Sequence, residues 1–307
     1  MNPHSSAIGI AIVAPSGYTL DDAALERGIA RLQAHGHTVH NYFDTAKVFQ
    51  RFGATDEARL AQLYAAADDP EVQVVMALRG QYGMTRLLPH IDFNRMADSG
   101  KIFVGFSDFT AFQMALFAKT GTISYAGPMF LPDFAAADPV AFTVDDFFQC
   151  LRSRTHRVSE AVRGNPTLNV AGTVWGGNLA MIMSLMGTEY FPAIDNGILF
   201  LEDVNEHPYR VERMLLQLMQ AGVLARQKAV ILGDFSAYSI TPADNGYDFT
   251  AMLAYLRQTL PCPVLTGLQF GHGRTRVTSP FGAKATLWSD AVHFELALSG
   301  YPTVNNA

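Results

Sequence analysis

A serine, a glutamate and a histidine stand out in this 307-residue chain because each sits where a folded backbone can make it reactive. Ser107 lies in "KIFVGFSDFTAFQMALFAKTG" (101–121), where a short apolar run gives way to a helical pattern. A hydroxyl on a sharp strand-to-helix turn is exposed, and the first-turn N–H groups beside it can face a developing oxyanion. The Ser107–Asp108 pair also suits plain helix capping, since both side chains accept from first-turn N–H groups. Glu202 closes the apolar run of "GILFLED" (197–203). A carboxylate held partly buried there needs a partner such as an imidazole, although strand-end solvation and helix N-terminal charge are the commoner uses of Glu202, Asp203 and Glu206. The partner candidate is His272 in "FGHGRTRVTSPFG" (270–282). Glycines on both sides let the backbone approach closely and aim the ring; a surface loop histidine has the same local sequence.

Other stretches offer walls for such a site. "LRGQYGMTRLLPHID" (78–92) sets Gly80 and Gly83 just past a buried run. Its N–H groups, with those at Ser107 and Asp108, could form an oxyanion hole, and Arg86 could anchor a substrate carboxylate. "TVWGGNLAMIMSLMGT" (173–188) puts Trp175 and Asn178 at a strand-to-helix junction, from which they would line a cleft; Asn178 is also a natural helix cap. The histidines of "HGHTVH" (35–40) fit a turn entering a strand and have no carboxylate or cysteine at ligand spacing, so no metal is expected there. His207, beside Glu206 at a helix start, reads as exposed. Cys150 and Cys262 are far apart, which signals neither a disulfide framework nor a zinc site; both read as buried small hydrophobes.

The elements that must position these residues follow from periodicity. In the first half, short apolar runs at 8–14, 37–43, 72–80 and 101–106 alternate with helical patterns near 21–34, 55–67 and 109–121. That rhythm reads as βαβ units on a parallel sheet, whose sites form at the carboxyl edge, where "RGQYG" and "GFSD" both fall. The second half ends in more strands than helices. The expected fold is α/β, with an N-terminal parallel-sheet domain of flavodoxin-like or amidotransferase-like type (1–150), a linker (151–167) and a mixed α+β C-terminal domain (168–307). Hydrophobic residues at 49% and charged residues at 16% fit a large packed core. A net charge of −6, with no basic cluster among aromatics, argues against nucleic acid as a partner. The N-terminus has no basic region before its short apolar run, and no uninterrupted apolar stretch approaches the ~18–20 residues of a membrane span. A soluble cytoplasmic protein with no membrane partner is expected.

Taken together, the motifs resemble the serine LD-carboxypeptidases of murein recycling, a family that includes the microcin-immunity hydrolases. The resemblance runs nearly end to end, through "IGIAIVAPSG", "ALRGQYGMTRLLPHID", "VGFSDFTAF", "WGGNLAMIMSLMGT", "LFLEDVNEHPYRVERML" and "GHGRTRVTSPFGAKATL". It implies a triad in the order Ser107, Glu202, His272, with Asp108 giving its N–H to the oxyanion hole while its side chain caps the helix. It further implies a cytoplasmic murein tetrapeptide as substrate, cleaved before its terminal D-alanine, no metal or organic cofactor, and a homodimer. One departure is Gln81, where the family usually has glycine in "RGGYG"; if its N–H is an oxyanion donor, the geometry must tolerate a side chain. An alternative within the resemblance is hydrolysis of peptidyl-nucleotide toxins, with Trp175 as the platform for adenine. A different class is a catalytically silent protein whose two lobes close on a small peptide.

Overall fold

The computed structural model describes residues 7–304; the first six residues of the N-terminal stretch lie outside it. The N-terminal half builds β1 (Gly9–Val13), α1 (Asp22–Ala34), β2 (Thr38–Asn41), α2 (Asp56–Asp68), β3 (Val74–Ala77), α3 (Met84–Leu87), α4 (Phe93–Asp98), β4 (Ile102–Gly105), α5 (Thr110–Thr120), β5 (Ser124–Ala126) and α6 (Ala141–Arg152). Then come β6 (Thr155–Glu160), β7 (Leu168–Asn178), α7 (Leu179–Ser184), β8 (Gly197–Val204), α8 (Pro208–Gln220), β9 (Gln227–Ser236), α9 (Phe249–Thr259), β10 (Val264–Thr266), β11 (Ser279–Phe281), β12 (Lys284–Ser289) and β13 (Phe294–Ser299).

Local chemistry sets many of these bounds. Asp21 and Thr55 cap α1 and α2 by accepting from Ala24 N and Ala58 N. Helix α5 stops where Gly121 turns left-handed, at φ +71°. Strands β1, β3 and β4 are buried along their whole length, as expected of central parallel strands covered by helices on both faces. They belong to a sheet ordered β11-β5-β4-β3-β1-β2, parallel from β5 to β2. That parallel order is the flavodoxin-like one, with the reversal of strand order between β1 and β3.

The second sheet runs β10-β9-β8-β7-β12-β13-β6. Its β10-β9-β8-β7 half is parallel and its β7-β12-β13-β6 half antiparallel, so the domain is mixed. Two segments cross the expected boundaries. Residues 155–160, inside the expected linker, form the edge strand β6 and pair with β13 over Thr155–Ser299 to Glu160–Phe294. Strand β11, expected in the second domain, instead closes the first sheet by antiparallel pairing with β5. The chain therefore passes between the two units again after residue 168, and the buried apolar cluster continues through both. Among the described residues, no helix is long and apolar enough to cross a membrane.

Candidate active site

Strand β4 delivers Ser107 to the carboxyl edge of the first sheet. Phe106 is still extended, then Ser107 takes φ +61°, and a single 3₁₀ turn over 107–109 leads into α5. A non-glycine residue in the left-handed region is strained by about 1–2 kcal/mol, a cost retained where it aims a side chain. The hydroxyl faces His272, with Nε2 3.1 Å from Oγ. On the other side of the ring, Nδ1 lies 2.7 Å from Glu202 Oε2. Serine, imidazole and carboxylate thus stand in series, although they are separated by 95 and 70 residues in the chain.

Glu202 is fully buried near the end of β8. Opposite it, the β8–β9 pairing jumps from Leu201–Leu232 to Asp203–Phe235, a bulge at Gly233–Asp234 of the kind that re-aims side chains next to sites. Its second oxygen, Oε1, accepts from Asn178 Nδ2 at 3.1 Å. Neighbouring Asp203 accepts from Asn178 Nδ2, from Ala180 N and from Val204 N, each at 2.9 Å. Burial pushes its carboxyl up to about 6, and the adjacent Glu202 charge adds to the rise.

The loop carrying His272 is held from below by Arg276. This buried guanidinium donates from Nε and Nη2 to the Gly271 carbonyl at 2.9 and 2.6 Å, and from Nη2 to Gly273 O at 3.3 Å. It also pairs with buried Asp133 and lies 3.8 Å over the Phe106 ring. Phe106 in turn meets the His272 ring edge-on at a centroid distance of 5.1 Å, so one aromatic braces both the Ser107 turn and the His272 ring.

Facing Ser107 is the loop after β3, the expected oxyanion wall. Gly80 packs so closely on Ser107 that a Cβ there would fall 2.7 Å from its Oγ and 3.5 Å from Asp108 N, which only glycine permits. Gln81 has φ +84°, so the side chain at the departure position is carried by backbone that favours glycine. The loop is fastened by Gly17 N to Gly80 O at 3.0 Å and by Arg59 Nη1 to Gly83 O at 3.0 Å. Asp108 fastens it too. Its carboxylate accepts from Ser16 Oγ at 2.5 Å and Met84 N at 2.8 Å, and burial raises its pKa. The side chain expected to cap its own helix therefore binds the start of α3 instead, because its turn points it across the sheet edge toward that loop.

Three expected substrate contacts lie elsewhere. Arg86 is exposed, bonded to Asp56 at 2.8 Å and stacked over Phe52, so its charge is already matched outside the cleft. Trp175 is fully buried and donates from Nε1 to Gln227 Oε1 at 2.8 Å, which makes it a core residue. Asn178 is also buried, its side chain turned to the two carboxylates and to capping α7 through Met181 N. The cleft itself, about 590 Å³, is lined by Ser107, His272, Gly80, Gln81, Leu131 and Asn205, and by a cation that sequence reasoning passed over, Arg79. Arg79 is half-buried, burial lowers its pKa, and it donates only to Tyr18 O at 3.2 Å; among the described residues no carboxylate pairs with it. Its signal was present, since it directly precedes Gly80 at the strand's carboxyl end.

The histidine-rich stretch also differs from expectation. The carboxylate missing from its sequence comes from the end of α2: Asp69 Oδ2 lies 3.1 Å from His40 Nδ1, with Glu71 nearby, and it also accepts from Tyr42 OH. His207 is half-buried against Asp244 at 3.1 Å. Cys150 and Cys262 are both buried and unpaired.

Two α/β units, with a hydrogen-bonded serine–histidine–glutamate array in the cleft between them, define a protein with a hydrolase-type site. The chain belongs to the LD-carboxypeptidase family: residues 10–127 match its N-terminal domain and residues 171–287 its C-terminal domain. It is similar to the crystal structure of muramoyltetrapeptide carboxypeptidase from Oxalobacter formigenes, with 49% identity, a TM-score of 0.93, and coverage of 96% of this chain and 100% of that one. The murein tetrapeptide carboxypeptidase of Pseudomonas aeruginosa is 28% identical over 291 residues, 91% of this chain and 92% of its own. The microcin C7 self-immunity protein MccF of Escherichia coli is 27% identical over 293 residues, 85% of this chain and 84% of its own.

Proposed function

We propose that this chain is a cytoplasmic serine LD-carboxypeptidase that releases the terminal D-alanine of murein tetrapeptides through Ser107, His272 and Glu202. The observation that carries the reading is the His272 ring bridging Ser107 Oγ at 3.1 Å and buried Glu202 at 2.7 Å inside the cleft. His272 Nε2 accepts the Ser107 proton as Oγ attacks the carbonyl before D-alanine; Glu202 keeps Nδ1 protonated and stabilises the imidazolium. The tetrahedral oxyanion turns toward the N–H groups of Asp108 and the Gly80–Gln81 peptide. His272 then protonates the departing amine, D-alanine leaves, and water attacks the acyl-Ser107 ester by the reverse proton path. Arg79 replaces Arg86 as the anchor for the substrate carboxylate, since it is the half-desolvated cation on the cleft wall with no anionic partner among the described residues. Relatives named for murein peptides support the substrate. The peptidyl-nucleotide alternative loses its aromatic platform with Trp175 in the core. The resemblance adds a homodimer to this reading.

The test is mass spectrometry of murein tri-, tetra- and pentapeptides incubated with wild type, Ser107→Ala and Arg79→Ala. Loss of one alanine from the tetrapeptide alone, slowed at least about 10⁴-fold in Ser107→Ala, is the expected result. In Arg79→Ala, KM should rise by about 10-fold or more, the loss of one charge-assisted contact. An inert wild type would refute the murein assignment, and peptidyl-nucleotide substrates would be tried next.

A further inference from the structure

Asn178 sits at the last position of β7, in register with Glu202 on β8. Its carboxamide orientation is fixed by its neighbours. Oδ1 accepts from Met181 N at 3.1 Å, so Nδ2 must be the atom between the two carboxylates, with one hydrogen for Glu202 Oε1 and one for Asp203 Oδ1. Its own backbone N–H donates to Thr110 Oγ1 at 3.1 Å, in the first turn of the helix that follows the nucleophile. The approach is close enough that a Cβ on the preceding Gly177 would strike the Thr110 side chain at 2.6 Å. One residue thus touches the nucleophile's helix, the triad carboxylate and that carboxylate's acidic neighbour, yet it lines none of the cleft.

We propose that Asn178 is a positioning residue for the reaction: its two amide hydrogens hold Glu202 aimed at His272 Nδ1 and separate it from Asp203. Two adjacent buried carboxylates disfavour each other's charge, and the second oxygen of Glu202 has no other hydrogen-bond donor among the described residues. Without that donor the glutamate is free to rotate, and the imidazolium formed during attack loses its aligned counter-charge. The charged and titratable groups involved are Glu202 and Asp203 against the amide and His272 beyond Glu202. This inference rests on the nucleophile assignment above, and it does not need the murein substrate.

The experiment compares wild type with Asn178→Ser and Asn178→Asp. Serine still caps α7 but has one short donor that cannot serve both carboxylates; aspartate keeps the cap and the shape and removes both donors. Thermal melts establish folding. Tetrapeptide kinetics and the rate of Ser107 labelling by a fluorophosphonate, in which Oγ displaces fluoride and His272 takes the proton, are then followed from pH 5 to 9. The expected result is a Tm close to wild type in Asn178→Ser and a kcat and labelling rate reduced 10-fold or more, with KM within about 2-fold. In Asn178→Asp the acid limb of both profiles should move to higher pH. Unchanged kcat in either folded variant, or a raised KM at constant kcat, would overturn the proposal, the second by making Asn178 a substrate contact. A wild type that labels but spares the tetrapeptide removes only the murein reading and leaves the labelling profiles to decide. A wild type that does neither takes the nucleophile assignment and this inference down together.

Discussion

Replacing Arg276 by methionine should separate what holds the fold from what aims the base. Arg276 is 2% exposed, and its ion-pair partner Asp133 is 5% exposed. Removing the guanidinium leaves a buried carboxylate whose remaining donor is Met129 N at 2.8 Å. Breaking a buried pair on one side costs about 3–5 kcal/mol, a large part of a total stability of about 5–15. Burial already raises the Asp133 pKa, and losing the cation raises it further. A carboxyl whose folded pKa exceeds its unfolded one stabilises the protein when protonated, so the deficit of Arg276→Met should shrink as pH falls through that folded pKa toward 3.8. Adding Asp133→Asn removes the buried charge while an amide oxygen still accepts from Met129 N, and should restore roughly 2 kcal/mol or more. Activity should not return with it. The carbonyls of Gly271 and Gly273 still lack the donors that fix the loop on either side of His272, and a misplacement of about 1 Å at a reacting group costs on the order of 10²-fold in rate. Urea unfolding at several pH values and tetrapeptide kcat supply the readout. A single variant destabilised by less than about 1 kcal/mol, or a double variant that regains wild-type kcat, would refute the reasoning.

Two further outcomes follow from strain and charge at the same site. Ser107→Ala and Ser107→Gly should both be inactive, but glycine relieves the φ of +61° that alanine retains; Ser107→Gly should therefore be more stable by about 1 kcal/mol, near 2 °C in a calorimetric scan, and an alanine variant that melts higher would show the turn to be unstrained. Asp203, with a pKa raised from 3.8 to about 6, favours the folded state when protonated. Its contribution is complete below about pH 3.8 and declines by about 3 kcal/mol as pH rises through 6. Urea titrations should show that decline in wild type and not in Asp203→Asn; parallel curves would mean that Asp203 ionises normally.

Where sequence reading worked, the deciding chemistry was local. Apolar runs at β1, β3 and β4 and the helical patterns near 21–34, 55–67 and 109–121 are all readable within a few residues. It failed where the partner was distant. Strand β6 alternates exposed and buried residues because one face of its sheet is packed and the other is open, as in the interior strand β12, and its polar "THRVSE" reads as linker until β13 supplies the pairing. Strand β11 is three residues long and contains a proline, and only β5, some 150 residues earlier, makes it a strand. Arg79 and Arg86 both follow β3, the first in the loop and the second on α3; Asp56 on α2 engages Arg86, while Arg79 lines the cleft.

The same non-locality governs the chemistry. Ser107 and the loop of Gly80 belong to the first sheet, while Glu202 and Asn178 belong to the second, with His272 on the segment that returns from β10 to β11 and the first sheet. No single unit holds a complete array. Asn178 N bonded to Thr110 and Arg276 paired with Asp133 are two of the contacts beside the array that tie the second half of the chain to the first, together with the β11–β5 pairing. A serine strained at φ +61° is therefore presented to a base only when both units are docked. The two contacts of His272, to Ser107 and to Glu202, thus join residues from both units.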